Sequence, residues 1–298
     1  MVHMTRGRPS RGLGGMLVPY LLGLLTLVTI PTIATVALSG FDYDLVRAPR
    51  FLGLGNFREL LDDEVFRIAL RNSLMFAAVA VPLRLLGASG AALLLAAPGR
   101  GIALSRSGVL VPAILPDVAV ALAWLWILNP LYGPLNLALQ AVGAPTPGWL
   151  SEPAAAQAAV VLISLFQLGE GFVLALAARL QVPAELYEAA SVEGLGAIRT
   201  FGRVTLPLML PALALLAFRD TAYSLQISFA PALLVTEGGP PPYATTYLPL
   251  FVYRNAFEYL RYGYASSATV VMFVLTAAIV WLQYRIVRRW RSTLLPES

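Results

Sequence analysis

Residues 185–211, ELYEAASVEGLGAIRTFGRVTLPLMLP, form a polar, mixed-charge insert between two long apolar segments. Beyond Pro183, residues 185–191 read as one short helix. Ala189 and Ala190 are small, strong helix formers, so the backbone there can approach a partner surface closely. Glu188 supplies a charge that a partner arginine can grip. Gly194 permits the left-handed backbone of a sharp turn. A second short helix is expected over about 197–204. Pro207 then falls near the first turn of the next apolar segment, where a missing N–H is tolerated.

Outward from this insert the chain is nearly all membrane. Of its 298 residues, 58% are hydrophobic and only 12% charged, about half the charge of a soluble domain. The mean hydropathy of +0.73 agrees. A span needs about 20 mostly apolar residues. Six candidates emerge, at roughly 16–38, 68–97, 104–128, 154–178, 208–229 and 266–287, giving an all-α integral membrane fold. The expected organisation is an N-terminal tail over 1–15, a six-helix transmembrane domain over 16–290 carrying the insert at about 183–207, and a C-terminal tail over 291–298.

Arginine placement orients the spans. Arg6, Arg8 and Arg11 precede the first; Arg285, Arg288, Arg289 and Arg291 follow the last. Arg100 and Arg106 lie between spans two and three, while 129–153 has no basic residue. Both termini and the 185–211 insert are therefore expected in the cytoplasm. A basic start, an apolar run and Ala37-Leu38-Ser39 mimic a cleavable signal peptide, but the run of about 23 residues exceeds the h-region length of 7–15. Pro112 and Pro116, just ahead of Asp117, predict a bent third span.

Composition also excludes chemistry. There is no cysteine, so neither a disulfide framework nor a thiolate metal site exists. The one histidine, His3, leaves no basis for histidine metal sites or triads, so no metal and no catalytic residue is expected. All 21 basic residues are arginine, and a phosphate-binding loop needs a lysine, so any nucleotide is bound by another subunit. The net charge of +5 reads as cytoplasmic anchoring rather than nucleic-acid binding.

The order Glu188-Ala189-Ala190, Gly194, then Val204, Leu206 and Pro207 resembles the EAA loop of ABC importer permeases, through which the ATPase moves the membrane subunits. Other blocks resemble one branch, the sugar permeases related to the maltose and glycerol-phosphate systems. These are Gly53-Leu54-Gly55-Asn56-Phe57, Asn72-Ser73, the run from Leu110 through Trp124 to Asn136, and Thr236-Glu237-Gly238-Gly239-Pro240. The resemblance spans about residues 15 to 290. It implies a type I, MetI-like core in a bacterial or archaeal plasma membrane. It further implies a second, similar permease, an ATPase dimer holding ATP and Mg, and an extracytoplasmic binding protein delivering a mono- or oligosaccharide. No cofactor is expected in this chain.

Carrying over the positions at which the maltose permease touches sugar gives Ile163, Phe166, Gln167, Glu170, Asp220, Ser224 and Ile227. Independently, 163, 166/167 and 170 share one helical face, as do 220, 224 and 227. Intramembrane acids usually line a functional cavity, and Phe166 or Trp124 can stack on a pyranose. The rival role for Glu170 and Asp220 is structural pairing with Arg179 or Arg219. Two acids depart from the family example and suit a hydroxyl-rich or amine-bearing solute, so an amino sugar or polyol is the alternative cargo. Ala230 departs too, standing where relatives commonly place Asp. Arg84 in mid-span has three candidate partners: Glu170, Asp117 or the sister permease. A lipid-modifying enzyme would lack convergent catalytic groups here. A proton-coupled secondary transporter would not need the EAA-like joint and usually shows internal repeats.

Overall fold

The computed structural model describes residues 11–294, with side chains for 17–289. Of the expected tails, residues 1–10, with His3, Arg6 and Arg8, and residues 295–298 lie outside this range, whereas 11–15 and 291–294 are helical rather than tail. In chain order the helices are α1 (Leu17–Leu38), α2 (Gly55–Asp62), α3 (Glu64–Leu94), α4 (Ile102–Ile114), α5 (Asp117–Ile127), α6 (Pro134–Ala141), α7 (Pro153–Phe166), α8 (Gly169–Leu180), α9 (Ala184–Val192), α10 (Ala197–Leu234), α11 (Leu248–Tyr253) and α12 (Tyr262–Leu294). Four continuous helices, α1, α3, α10 and α12, have spans of mean hydropathy 2.2, 1.7, 1.7 and 2.0, enough to cross a membrane. The bent pairs α4/α5 and α7/α8 supply two more if each is one span, which makes the expected six.

The α4/α5 bend of 102° has a local cause. Leu115 precedes Pro116, and the proline ring drives the residue before it out of the helical region; Leu115 accordingly has ψ 139. The bend expected from these prolines is therefore present. The 50° bend between α7 and α8 has no proline. It falls at Gln167 (φ −97, ψ 40), so 163–170 is not one continuous helical face. That corrects the expectation that Ile163, Phe166, Gln167 and Glu170 share a stripe. The cause is tertiary: a Cβ on Gly169 would lie 2.8 Å from Ala113 Cβ and 2.9 Å from the Val109 carbonyl oxygen. Glycine lets α8 start against the backbone of α4. Gly169→Val is expected to lower stability by about 2 kcal/mol through overpacking, read as a lowered thermal midpoint of the purified protein in detergent.

The chain forms two compact units. The first holds the residues up to Asp62 together with Val252–Val271. In it, β1 (Phe41–Asp42) pairs antiparallel with β2 (Arg50–Phe51), Phe41 opposite Phe51. Buried Asn56 donates from Nδ2 to the carbonyls of Ser39 and Phe41, both at 2.9 Å, which fixes α2 to the end of α1. Arg261 pairs with Glu59 at 2.5 Å.

The second unit holds Asp63–Phe251 and the residues from Met272 on. Asp63 caps α3, its Oδ1 accepting the Val65 and Phe66 N–H groups at 2.7 and 3.1 Å. At the other end Arg106 donates to the Leu95 carbonyl through Nε and Nη2, at 2.9 and 2.7 Å, a cation at the negative pole of the helix. Helix α3 packs against α7, α8 and α10, and α8 also packs against α4 and α10. Phe172 and Ala175 of α8 meet Ala92 of α3, Val109 of α4 and Leu213 of α10 in one apolar cluster.

The 236–246 loop is tied into this bundle by polar side chains. Asn72 donates to the Tyr243 and Thr246 carbonyls at 3.0 and 3.2 Å, Ser73 Oγ accepts the Leu248 N–H at 2.8 Å, and Gln157 donates to the Ala244 carbonyl at 3.0 Å. Gly239 has φ +84, and a Cβ there would lie 2.7 Å from the Thr245 nitrogen, so only glycine fits. Asn72→Leu strands two carbonyls in the interior and is expected to destabilise the protein by about 2 kcal/mol, again measured as a thermal shift.

Candidate functional site: a coupling loop and an intramembrane charge quartet

The loop begins at Pro183 (φ −59, ψ 138), which starts α9. It ends in a double closure: Leu195 N donates to the Ala190 carbonyl at 2.9 Å and Gly194 N to the Ser191 carbonyl at 3.0 Å. This is a Schellman motif with glycine at the left-handed position, Gly194 having φ +70. Ala190 is buried, while Glu188 and Ala189 are exposed on the outer side. Val192 and Ile198 stand 88% and 87% exposed, two apolar knobs flanking the turn. Inside the loop the Tyr187 hydroxyl meets Thr205 Oγ1 at 2.9 Å, and the Arg179 guanidinium stacks over the Tyr187 ring at 4.4 Å. A cavity of about 620 Å³ opens beneath, lined by Arg179, Tyr187, Ser191, Leu195 and Phe201 among others.

The second short helix differs from expectation. From Ala197 the chain runs without interruption into the next span, a helix of 38 residues. Pro207 is thus internal to a helix rather than near its free start. Its ring would clash with the carbonyl of Arg203, four residues back. The helix widens there to a π-turn, Phe201–Thr205, closed by Leu206 N–H on the Phe201 carbonyl. Val204 is partly buried and Leu206 is 37% exposed.

In the bundle, Arg84 of α3, Glu170 of α8 and the Arg219-Asp220 pair of α10 form a chain of charges. Arg219 Nη2 contacts Glu170 Oε2, and Arg219 Nη1 contacts Asp220 Oδ1 at 3.0 Å. Arg84 Nη2 reaches the same Asp220 oxygen at 3.7 Å. Both guanidinium carbons lie 5.1 Å from the centre of the Tyr223 ring. So Arg84 pairs with Asp220, which was not among its three expected partners, and Arg219 takes both acids while Arg179, in the last turn of α8, faces Tyr187. Arg84 and Asp220 are buried; Glu170 exposes 61% of its side chain. Two cations and two anions leave the quartet with no net charge.

Of the other expected pathway residues, Gln167 donates to Asp117 Oδ1 at 3.0 Å. Phe166 and Trp124 pack edge to face, centroids 5.8 Å apart, with Phe166 43% exposed. Asp220, Ser224 and Ile227 do share one face of α10, and all three are buried. Ile163 is buried as well, and Ala230 packs in the cluster around Val120 and Leu128. The rival pairing of Glu170 and Asp220 with Arg219 is the one present, and sequence reasoning missed only Tyr223 beside it and the link to Arg84. The signal was an Arg-Asp pair in the middle of an apolar run.

The sequence profile described as "Binding-protein-dependent transport system inner membrane component" matches residues 99–292. The chain belongs to that family. Among its relatives, this permease is 32% identical over 276 residues to the probable ABC transporter permease protein YesP of Bacillus subtilis, covering 91% of this chain and 89% of YesP. It is 32% identical over 239 residues to the sulfoquinovosyl glycerol transport system permease protein SmoG of Agrobacterium fabrum, covering 80% and 77%. A bacterial ABC transporter involved in the import of the acidic polysaccharide alginate shares the fold, with a TM-score of 0.80 over 93% of this chain and 95% of that one at 23% identity. The all-α, multi-pass architecture expected from the apolar runs is therefore that of an ABC importer permease.

Proposed function

We propose that this chain is one permease subunit of an ATP-driven importer, moving a carbohydrate by alternating access. It pairs with a second, similar permease. A separate ATPase dimer binds ATP and Mg and hydrolyses the nucleotide, and an extracytoplasmic binding protein delivers the solute. The observation that carries this reading is the loop at Glu188–Gly194: a rigid, glycine-closed turn presenting one carboxylate and exposed apolar side chains. Such a surface suits a partner's groove and has no evident use in isolation. Both termini and this loop lie on the cytoplasmic side in this reading.

Relatives named as permeases of sulfoquinovosyl glycerol, sn-glycerol-3-phosphate and diacetylchitobiose systems support a carbohydrate-like cargo. The quartet supports it too, since a neutral arrangement of carboxylates and guanidinium groups offers donors and acceptors to hydroxyls without selecting a net charge. Glu170, Arg219, Gln167, Phe166 and Trp124 are the residues we assign to the pathway, with Asp220 and Ser224 behind them. Both acids are engaged by Arg219, which makes them poor candidates for a free proton relay.

The test is ATP hydrolysis by the four-component complex in proteoliposomes, screened against neutral, amino and acidic saccharides with its binding protein. Stimulation by a saccharide establishes import and cargo together. A complex that responds to no saccharide retains the permease assignment and removes the carbohydrate. Failure to recruit an ATPase removes the whole proposal.

A further inference from the structure

Arg84 is buried in the middle of α3, yet its Nε and Nη1 have no hydrogen-bond partner among the described residues. Its one ionic contact among the described residues, 3.7 Å to Asp220 Oδ1, is too long for a hydrogen bond. The oxygen it needs is held by Arg219 at 3.0 Å. Arg219 in turn reaches out to Glu170, at the solvent-accessible end. Two guanidinium groups thus compete for one carboxylate oxygen, and the buried one is the loser in this conformation. A guanidinium left with unmet donors in a membrane interior pulls on the nearest acceptor.

We propose that Arg84 is a positioning residue for the solute pathway. By drawing Asp220 inward, it loosens the grip of Asp220 on Arg219 and leaves Arg219 free to act beside position 170. This rests on the reading of Glu170 and Arg219 as pathway residues. Arg84 itself never meets the solute. When Asp220 turns fully to Arg84, the buried guanidinium gains its missing bond and Arg219 is released. When Arg219 holds Asp220, it is drawn away from the pathway. The state of the exposed pair is therefore set from a side chain on a different helix.

The chain has no cysteine, so Glu170→Cys introduces a single thiol into this subunit. Its modification rates by the anionic ethylsulfonate and the cationic trimethylammonium-ethyl methanethiosulfonates report the charge beside it. They are measured in the assembled complex, with a cysteine-free form of the other subunits, in proteoliposomes. With Arg219 adjacent, the anionic reagent is expected to be preferred by about tenfold over the same ratio for a free thiol. Adding Arg84→Gln lets Asp220 keep Arg219, and the preference falls about threefold. Adding Arg84→Gln together with Asp220→Asn frees Arg219 entirely, and the preference rises above that of E170C alone.

A preference in that double change no higher than the E170C value overturns the proposal. The double change removes both members of the buried Arg84–Asp220 pair and leaves only the partly exposed Arg219 without an acid, so it remains measurable even where Arg84→Gln alone does not assemble. A thiol that reacts with neither reagent shows that position 170 is outside any aqueous path, which overturns the pathway reading and the proposal with it. A thiol that reacts with an unchanged ratio overturns the role of Arg84 alone.

Discussion

Replacing Gly194 by Val is expected to reduce solute-stimulated ATP hydrolysis by the assembled complex at least about tenfold, while Gly194→Asn keeps most of it. A residue with a side chain pays about 1–2 kcal/mol to adopt the left-handed conformation, and a β-branched one more, whereas Asn visits that region readily. The φ of +70 is the whole of the problem, because no atom lies within 4 Å of an added Cβ. The contrast between Val and Asn therefore reads backbone geometry and not crowding. If the turn relaxes to a right-handed residue, the Leu195–Ala190 and Gly194–Ser191 bonds are lost and Glu188 no longer stands at a fixed angle. Glu188→Ala, which leaves the turn intact, is expected to give a similar loss with normal membrane insertion. Size-exclusion of the purified complex checks assembly, and phosphate release checks coupling. Equal activity of the Val and Asn variants would show that the turn is not the joint.

The second large effect lies in the bundle. Asp220→Asn leaves Arg84 buried with no counter-charge, and removing one partner of a buried pair is worth about 3–5 kcal/mol. The variant is expected to melt well below the parent in detergent. Arg84→Gln is expected to be less damaging, because Asp220 retains Arg219 at 3.0 Å. The double variant, with both charges gone, is expected to recover most of the loss. A thermal midpoint for the double that equals the sum of the two single losses would mean the 3.7 Å contact is incidental.

What the sequence conveys about this fold depends on whether its cause is local. The apolar runs announce the spans, Pro116 announces the bend after Leu115, and Pro183 and Gly194 bracket α9 within a residue or two of where it lies. The break at Gln167 has a remote cause, the approach of Gly169 to the Val109 carbonyl, and no pattern within 163–170 betrays it. The π-turn before Pro207 is likewise hidden, since a proline at a helix start and one after a widened turn look the same in a string. The quartet was half legible. Its acids stand out in an apolar setting, but that Arg84 faces Asp220 rather than Glu170 or Asp117 depends on how α3 and α10 are rotated against each other. One sequence does not encode that rotation in any short motif.

The Tyr187–Thr205 bond and the stacked Arg179 have a mechanical meaning. They brace the loop across its base, joining the foot of α8 to the foot of α10 through one aromatic ring. A hinge without that strut would let the loop swing while its stalks stood still. With the strut, a load placed on the loop in the proposed complex is shared between both helix feet, and the ring of Tyr187 bears the shear.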